Sequence, residues 1–348
     1  PSTQGRGRCT DDHLGKIAPT LERIAALVDV LGSPQLTYPT IHVGGTNGKT
    51  TTARMIDSLL FEMGLRTGRF TSPHLESYLE RISINGQPID PKAMIFSYND
   101  IAAYLDFMDT KFDTPISFFE AITALAFAAF AEHPIDVGVI EVGMGGRLDS
   151  TNVITPELSV ITNIGWDHMQ FLGDKLPLIA GEKAGIIKPK VPVIISQTQE
   201  ETTSIFLKKA LENQAHITFA DQKIKLQKLT TDTAFAKYAV SKNIESFTLE
   251  YGLLGDYQIH NLPGILESVD QLRQLGWKIS DEALLKGLKQ VTRLTGLKGR
   301  WQILGKNPTV IADTGHNEPG IQSILGQLES YPFENLWMVI GMVQDKDI

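Results

Sequence analysis

The sequence predicts an α/β protein: a large domain built on a mainly parallel β-sheet, followed by a second, smaller α/β domain. Three observations predict it. Short apolar runs alternate with helical segments along most of the chain. Three of those runs, "VGVIEVG" (137–143), "LSVITNIG" (158–165) and "VPVIIS" (191–196), are apolar almost without a break. A strand apolar on both faces is buried on both faces, as in a parallel sheet covered by helices. Finally, the strand-like run "TIHVG" (40–44) passes through a tight glycine loop straight into a helix, the connection that begins an α/β unit.

The elements follow in order. The N-terminal "PSTQGRGRCTDDHLGK" is polar, with no apolar core for export. It holds the chain's one cysteine, Cys9, so an internal disulfide is ruled out and a reducing cytosol is expected. After "TIHVG", "TTARMIDSLLFEMG" reads as an amphipathic helix with Met55, Leu59, Leu60 and Met63 on one face and Gly64 as its stop. "AITALAFAAFA" (121–131) is a buried helix, far shorter than the ~20 residues a membrane span needs. From about Phe219 to Leu253 the pattern alternates as in an antiparallel patch, read as part of the same domain. "GLKGR" (296–300) reads as a linker. Beyond it, "TVIADTGHNEPG" and "LWMVIGMV" read as strands and "IQSILGQLES" as the helix between them. The expected domains are therefore 1–295 and 296–348. The second is too short for a whole doubly wound domain, so the chain is expected to be incomplete at its C-terminus.

Bulk numbers limit the function. The chain has 348 residues, 42% hydrophobic and 21% charged, enough for about two ordinary globular domains. A net charge of -8 without basic clusters argues against nucleic acid and membrane surfaces as partners. An anionic substrate must then be held by local groups. A soluble, cytoplasmic protein is expected.

Local groups of that kind are present. "VGGTNGKTTT" has a glycine-lysine-threonine core between strand and helix, the context of a phosphate cradle. It lacks the first glycine of the general G-x-x-x-x-G-K-[ST] loop, since Val43 stands there. Lys49 would reach the β- and γ-phosphates, and Thr50 or Thr51 could offer a hydroxyl to Mg²⁺. Glu141 ends a buried strand, where nucleotide hydrolases keep a metal-holding acid; Gly143, Gly145 and Gly146 after it allow close backbone approach. Other groups at strand ends are less pointed. Ser72 and His74 could be no more than a Ser-Pro turn. Asp167 and His168 follow another strand, but Mg²⁺ prefers oxygen ligands. Lys183 lies in an otherwise apolar helix start; the residues alone favour a surface lysine, while burial would lower its pKa and let its neutral amine react with CO₂. The clusters Gln258, His260 and Asn261, then Arg300, then Asp313, His316 and Asn317 could each be generic capping.

Taken together and in order, these stretches resemble the folylpolyglutamate synthases and bifunctional dihydrofolate synthases of the ATP-dependent Mur ligase superfamily. The resemblance spans about 21–348 and rests on "HVGGTNGKT", "TSPHL", "ERISING", "SFFEAITALAF", "EVGMGGRLDSTN", "DHMQFLG", "IAGEKAGIIK", "GDYQIHN", "GRWQ" and "DTGHNEPG". It implies a P-loop-type central ligase domain and a Rossmann-like C-terminal domain. It implies that Gly45, Thr46, Asn47, Gly48, Lys49, Thr50 and Thr51 form the ATP phosphate loop, and that Asn261 lies near the base. Arg300 and Asp313 would contact the nucleotide from the second domain, with His316 close to ATP and the incoming glutamate. Two Mg²⁺ sites are implied, one on Ser72 and Glu141 and one on His168 and Glu141. Lys183 matches the lysine that the family carbamylates. The implied reaction joins L-glutamate to a folate, or to dihydropteroate, through an acyl phosphate, with a monomer as the family default.

Three departures stand out. The folate enzymes commonly read G-T-N-G-K-G-S where this chain has "GTNGKTT", Tyr257 stands where His is usual, and "DTGHNEPG" replaces D-G-A-H-N-P. The loop fits the cell-wall precursor ligases of the superfamily better, but those carry a whole domain before it, and only 44 residues precede Gly45 here. A nucleotide-binding module without catalysis is the alternative from another class.

Overall fold

The computed structural model describes residues 20–341 except 113, 233, 243 and 244, so Cys9 and the polar N-terminal stretch lie outside the described residues. The chain runs α1 (Glu22–Val30), β1 (Thr40–Gly44), α2 (Lys49–Glu62), β2 (Thr67–Phe70), β3 (Ile82–Ile84), β4 (Gln87–Pro88), α3 (Pro91–Phe112) and α4 (Phe118–Glu132). It continues through β5 (Val137–Glu141), β6 (Leu158–Ile161), α5 (Met169–Leu172), α6 (Leu176–Ala184), β7 (Val193–Ile195), α7 (Glu200–Glu212), β8 (Ile217–Phe219) and α8 (Ala220–Lys223). Three strands follow, β9 (Ile224–Thr231), β10 (Ala236–Lys242) and β11 (Glu245–Tyr251), then α9 (Leu262–Gln274), α10 (Asp281–Lys289) and α11 (Val291–Thr295). The last elements are β12 (Gln302–Lys306), β13 (Thr309–Ala312) and α12 (Glu318–Leu328).

Eight strands form one sheet in the order β4-β3-β2-β5-β1-β6-β7-β8. From β2 to β8 every pairing is parallel, and β3 and β4 add an antiparallel edge. β1, β5, β6 and β7 are buried at every residue, as their unbroken apolar sequences require. One face carries Ile41 and Val43 against Leu59 of α2 and Leu262 of α9. The other carries Phe70 and Ile140 against Ile24 of α1 and Phe127 of α4. The β9–β11 sheet is antiparallel, and its inward residues Tyr238, Val240 and Leu249 join the α2 and α9 core.

Two sequence expectations are corrected. α2 is buried beyond its predicted apolar face: every residue from Thr51 to Leu60 is buried, because α10 and α11 also pack on it, with α9 beside it on the sheet. Its charged residues Arg54 and Asp57 are therefore inside. The run "LWMVIGMV" is not a strand where it is described. Residues 336–341 are irregular and exposed, with Trp337 90% accessible, and pair with no strand. An apolar run becomes a strand only when a neighbour accepts its backbone hydrogen bonds. β12 and β13 bond each other as an antiparallel pair instead.

The α2–α10 crossing is tight enough to test. A Cβ on Gly287 would stand 2.6 Å from the Leu59 Cα, and the Gly287 carbonyl accepts the Ser58 hydroxyl at 3.0 Å. Gly287→Ala should force the helices apart and cost about 1–3 kcal/mol. Thermal melting checks this: a clear drop in Tm is expected, and an unchanged Tm would contradict the close packing.

Candidate active site

β1 delivers the glycine loop to the carboxyl edge of the sheet. Gly45 has φ +135°, and a Cβ there would fall 1.9 Å from Thr162 Oγ1, so only glycine fits. Gly48, at φ +83°, starts α2 and packs against Asn261, whose Oδ1 would lie 2.1 Å from an added Cβ. The loop is pinned from β6 onward. Thr162 Oγ1 donates to the Asn47 carbonyl at 2.6 Å, Asn163 Oδ1 accepts from Asn47 N at 2.9 Å, and Thr46 Oγ1 accepts from Gly165 N at 2.9 Å. The first-turn amides of α2 have no helical acceptor and, with the helix dipole, suit an anion. Lys49 Nζ curls back onto the carbonyls of Gly45 at 3.1 Å and Thr46 at 3.0 Å.

Glu141 stands beside Val43 in the β1–β5 register, one strand over from the loop. It is 1% exposed. Oε1 accepts from Thr50 Oγ1 at 2.7 Å and Oε2 from Ser72 N at 3.1 Å. Burial pushes its pKa up, opposed by Lys49, by both hydrogen bonds and by Arg300. A desolvated carboxylate beside hydroxyl-bearing Thr50 and Ser72 is an all-oxygen donor set that suits Mg²⁺. These residues fit one such ion. The second implied site would need His168 as well. His168 is half exposed, its ring beside its own Asp167, and it is not among the residues lining the cavity that Glu141 and Ser72 share. Among the described residues, no three His, Cys, Asp or Glu side chains gather as a metal cluster.

Lys183 corrects both sequence expectations for it. It lies in the last turn of α6 rather than at a helix start, and is 4% exposed rather than on the surface. Its Nζ donates to the Gly45 carbonyl at 2.8 Å, so it braces the phosphate loop from behind. Burial, and the nearby charge of Lys49, push its pKa down to about 7.

The C-terminal segment closes the site. Asp313 accepts from Tyr257 Oη at 2.6 Å, Trp301 N at 2.7 Å and Gly315 N at 2.8 Å. Tyr257, a departure in the sequence, thus ties the Asp256–His260 turn to this acid. Arg300 donates to the Gly299 carbonyl at 2.9 Å and to Thr314 Oγ1. His316 is exposed, its Nδ1 3.0 Å from the Thr314 carbonyl. Asn317 caps α12 and trades hydrogen bonds with Asn47 of the loop at 2.9 and 3.3 Å. A cavity of about 900 Å³ brings together residues 46–51, Ser72, Glu141, Asn261, Arg300, Asp313 and His316. Gly45 and Lys183 lie behind the loop, outside that lining. Sequence reasoning missed Asn163 and Arg54, which also line it. Arg54 lies in a helix that also carries Thr51, Thr52, Asp57 and Ser58, so its sequence gave no signal. Asn163, in an apolar strand-to-loop run, gave none.

Comparison with known proteins agrees with this fold. Residues 43–266 match the Mur ligase middle domain family. The chain is similar to the dihydrofolate synthase/folylpolyglutamate synthase of Mycobacterium tuberculosis, 37% identical over 351 residues, covering 96% of this chain and 71% of that protein. It superposes on the folylpolyglutamate synthase of Thermotoga maritima with a TM-score of 0.81 at 33% identity, over 91% of this chain and 72% of that one. It is also similar to the structure of an FPGS–AMPPCP–folate complex, with a TM-score of 0.84 at 31% identity, over 90% and 77%.

Proposed function

The chain belongs to the Mur ligase family, in its folylpolyglutamate synthase branch, and from that premise we propose how its site works. It is an ATP-dependent ligase that adds glutamate to folates. The observation that carries the reading is Glu141: a buried carboxylate bonded to Thr50 of the phosphate loop and to Ser72, inside one cavity that reaches the C-terminal segment.

ATP sits with its phosphates on the α2 first-turn amides, where Lys49 exchanges its two loop carbonyls for phosphate oxygens. Thr50, Ser72 and Glu141 would hold Mg²⁺, which would offset phosphate charge. The folate carboxylate attacks the γ-phosphorus, ADP leaves, and an acyl phosphate results. The amine of L-glutamate then attacks the acyl carbon, loses a proton, and phosphate departs to leave the amide. Lys49 and Arg300 oppose the negative charge gathered by these anions. Asp313 fixes the backbone around Arg300, and Asn261 holds the loop glycine in place. His316, at the cavity mouth, is assigned to the side where glutamate enters. Domains 1–295 and 296–348 close over the acyl phosphate and exclude water, the Asn47–Asn317 pair joining loop to lid.

The test is ligation with tetrahydrofolate and with dihydropteroate, each with and without L-glutamate. ADP release that requires both acceptor and glutamate, together with an amide product, is expected with tetrahydrofolate. Absence of product with both acceptors would overturn the reading.

A further inference from the structure

One buried cation in the cavity wall is left without a task by the scheme above. Arg54 projects from the middle of α2, is 8% exposed, and lines the same cavity as Glu141. Nη1 donates to the Thr295 carbonyl, while Nε is buried with no hydrogen-bond partner. Among the described residues no carboxylate forms an ion pair with it. Its neighbour Arg69 differs. Arg69 is 1% exposed and its Nε is likewise buried without a partner, but its charge is neutralised by Asp57 and its other nitrogens are bonded to Ser83 Oγ and the Thr295 carbonyl. The charges facing Arg54 do not replace such a partner. Asp57 Oδ2 is taken by Arg69, while its Oδ1 accepts from no donor, Arg54 included, and Glu141 is taken by Thr50 and Ser72, so both acids favour the charged guanidinium without bonding it. Glu80 is occupied by the amides of Leu75, Glu76 and Ser77. Arg69 and Arg300 repel it. Burial and Arg69 push the guanidinium down to about 9, so it stays charged at neutral pH in surroundings that do not fully offset it.

A largely buried cation in a cavity wall, with no carboxylate bonded to it, is completed by a ligand anion. The acceptor supplies one. A folate ends in a glutamyl residue whose γ-carboxylate is activated beside Glu141. Its α-carboxylate stays ionised, a short aliphatic spacer away, and would otherwise face Glu141 unneutralised. We propose that Arg54 receives the α-carboxylate of the acceptor's terminal glutamyl residue, making it a specificity-determining residue for folates that already carry glutamate. The assignment rests on the folate-ligase reading. Dihydropteroate, whose reacting carboxyl has no α-carboxylate beside it, would gain nothing from Arg54.

The test compares tetrahydrofolate with its analogue carrying γ-aminobutyrate in place of glutamate, which keeps the reacting carboxylate and lacks the α-carboxylate. Binding is measured by calorimetry with a non-hydrolysable ATP analogue present. The unaltered protein should bind tetrahydrofolate about 10- to 100-fold more tightly than the analogue, the usual range for a charge-assisted pair. Arg54→Gln should remove most of that preference, and Arg54→Lys should restore part of it. Equal binding of both ligands by the unaltered protein overturns the proposal while leaving the ligase reading in place. This arm needs no variant, so it stands even if Arg54→Gln fails to fold. A preference that survives Arg54→Gln in folded protein also overturns it. Binding of neither ligand overturns the folate reading, and the proposal with it. A defect of Arg54→Gln confined to the KM of L-glutamate would assign the arginine to the incoming amino acid instead, and likewise overturns the proposal.

Discussion

Replacement of Lys49 by alanine is expected to slow ligation by about 10²- to 10³-fold. Phosphoryl transfer gives a protein little covalent chemistry to perform; the rate comes from placing positive charge where negative charge builds up. Here the supply of cations is narrow. The chain carries a net charge of -8, so the overall field opposes ATP, folate and glutamate alike. At the loop, the first-turn amides of α2 and Lys49 are what the chain itself offers the transferring phosphate. Lys49 now rests on two loop carbonyls, contacts that a phosphate oxygen can replace with a stronger, charge-assisted one. Its removal should leave folding intact, because it is only part-buried and anchors no core residue. The measurement is kcat for ADP release at saturating ATP, alongside Tm. A Tm close to that of the unaltered protein with kcat down by the stated factor is expected. A near-normal kcat would mean that Lys49 does not touch the transferring group.

The same loop shows how far the sequence could be read. β1, the glycine turn and α2 were legible because each obeys a local rule: a continuously apolar strand, glycines at positive φ, and a helix that begins at once. Glu141 was legible as an acid at the end of a buried strand. Its bonds to Thr50 and Ser72 were not, since they join segments far apart in sequence and depend on which strands are neighbours. The sheet order sets β5 between β1 and β2, and no periodicity encodes that. The strand expected over "LWMVIGMV" is missing from its described residues, 336–341, for a related reason, as hydropathy says that a run can be buried but not that a partner strand adjoins it. Lys183 is the clearest case. Its local sequence favoured the surface, and only the tertiary approach of α6 to Gly45 buries it. Tyr257 first read as a departure, and its role emerged once β13 was seen to bring Asp313 to its hydroxyl.

Lys183→Ala is expected to lower activity by about 100-fold, the upper range for a residue that orients a metal and phosphate site from behind. Two roles could underlie such a loss. As an amine, Lys183 holds the Gly45 carbonyl at 2.8 Å and steadies the loop. As a carbamate, it would become a long carboxylate serving the metal and phosphate site. The pKa of about 7 makes the second chemistry accessible, because half of the amine is then neutral near pH 7 and only the neutral form attacks CO₂. The pH dependence separates the two. Carbamylation predicts activity that rises through about pH 7, that falls in CO₂-depleted buffer and returns with bicarbonate, and a mass increase of one CO₂ on the peptide holding Lys183. The bracing amine predicts none of the three. Stability gives an independent check of the burial. With the folded pKa lowered from 10.5 to about 7, the unfolded chain binds the extra proton between those values. The Lys183 contribution therefore opposes folding most strongly below about 7 and relaxes as pH rises towards 10.5. The unaltered protein should gain stability relative to Lys183→Ala across that interval. A flat difference would show that Lys183 is not desolvated as the structure has it, and a near-normal rate for Lys183→Ala would remove it from the chemistry altogether.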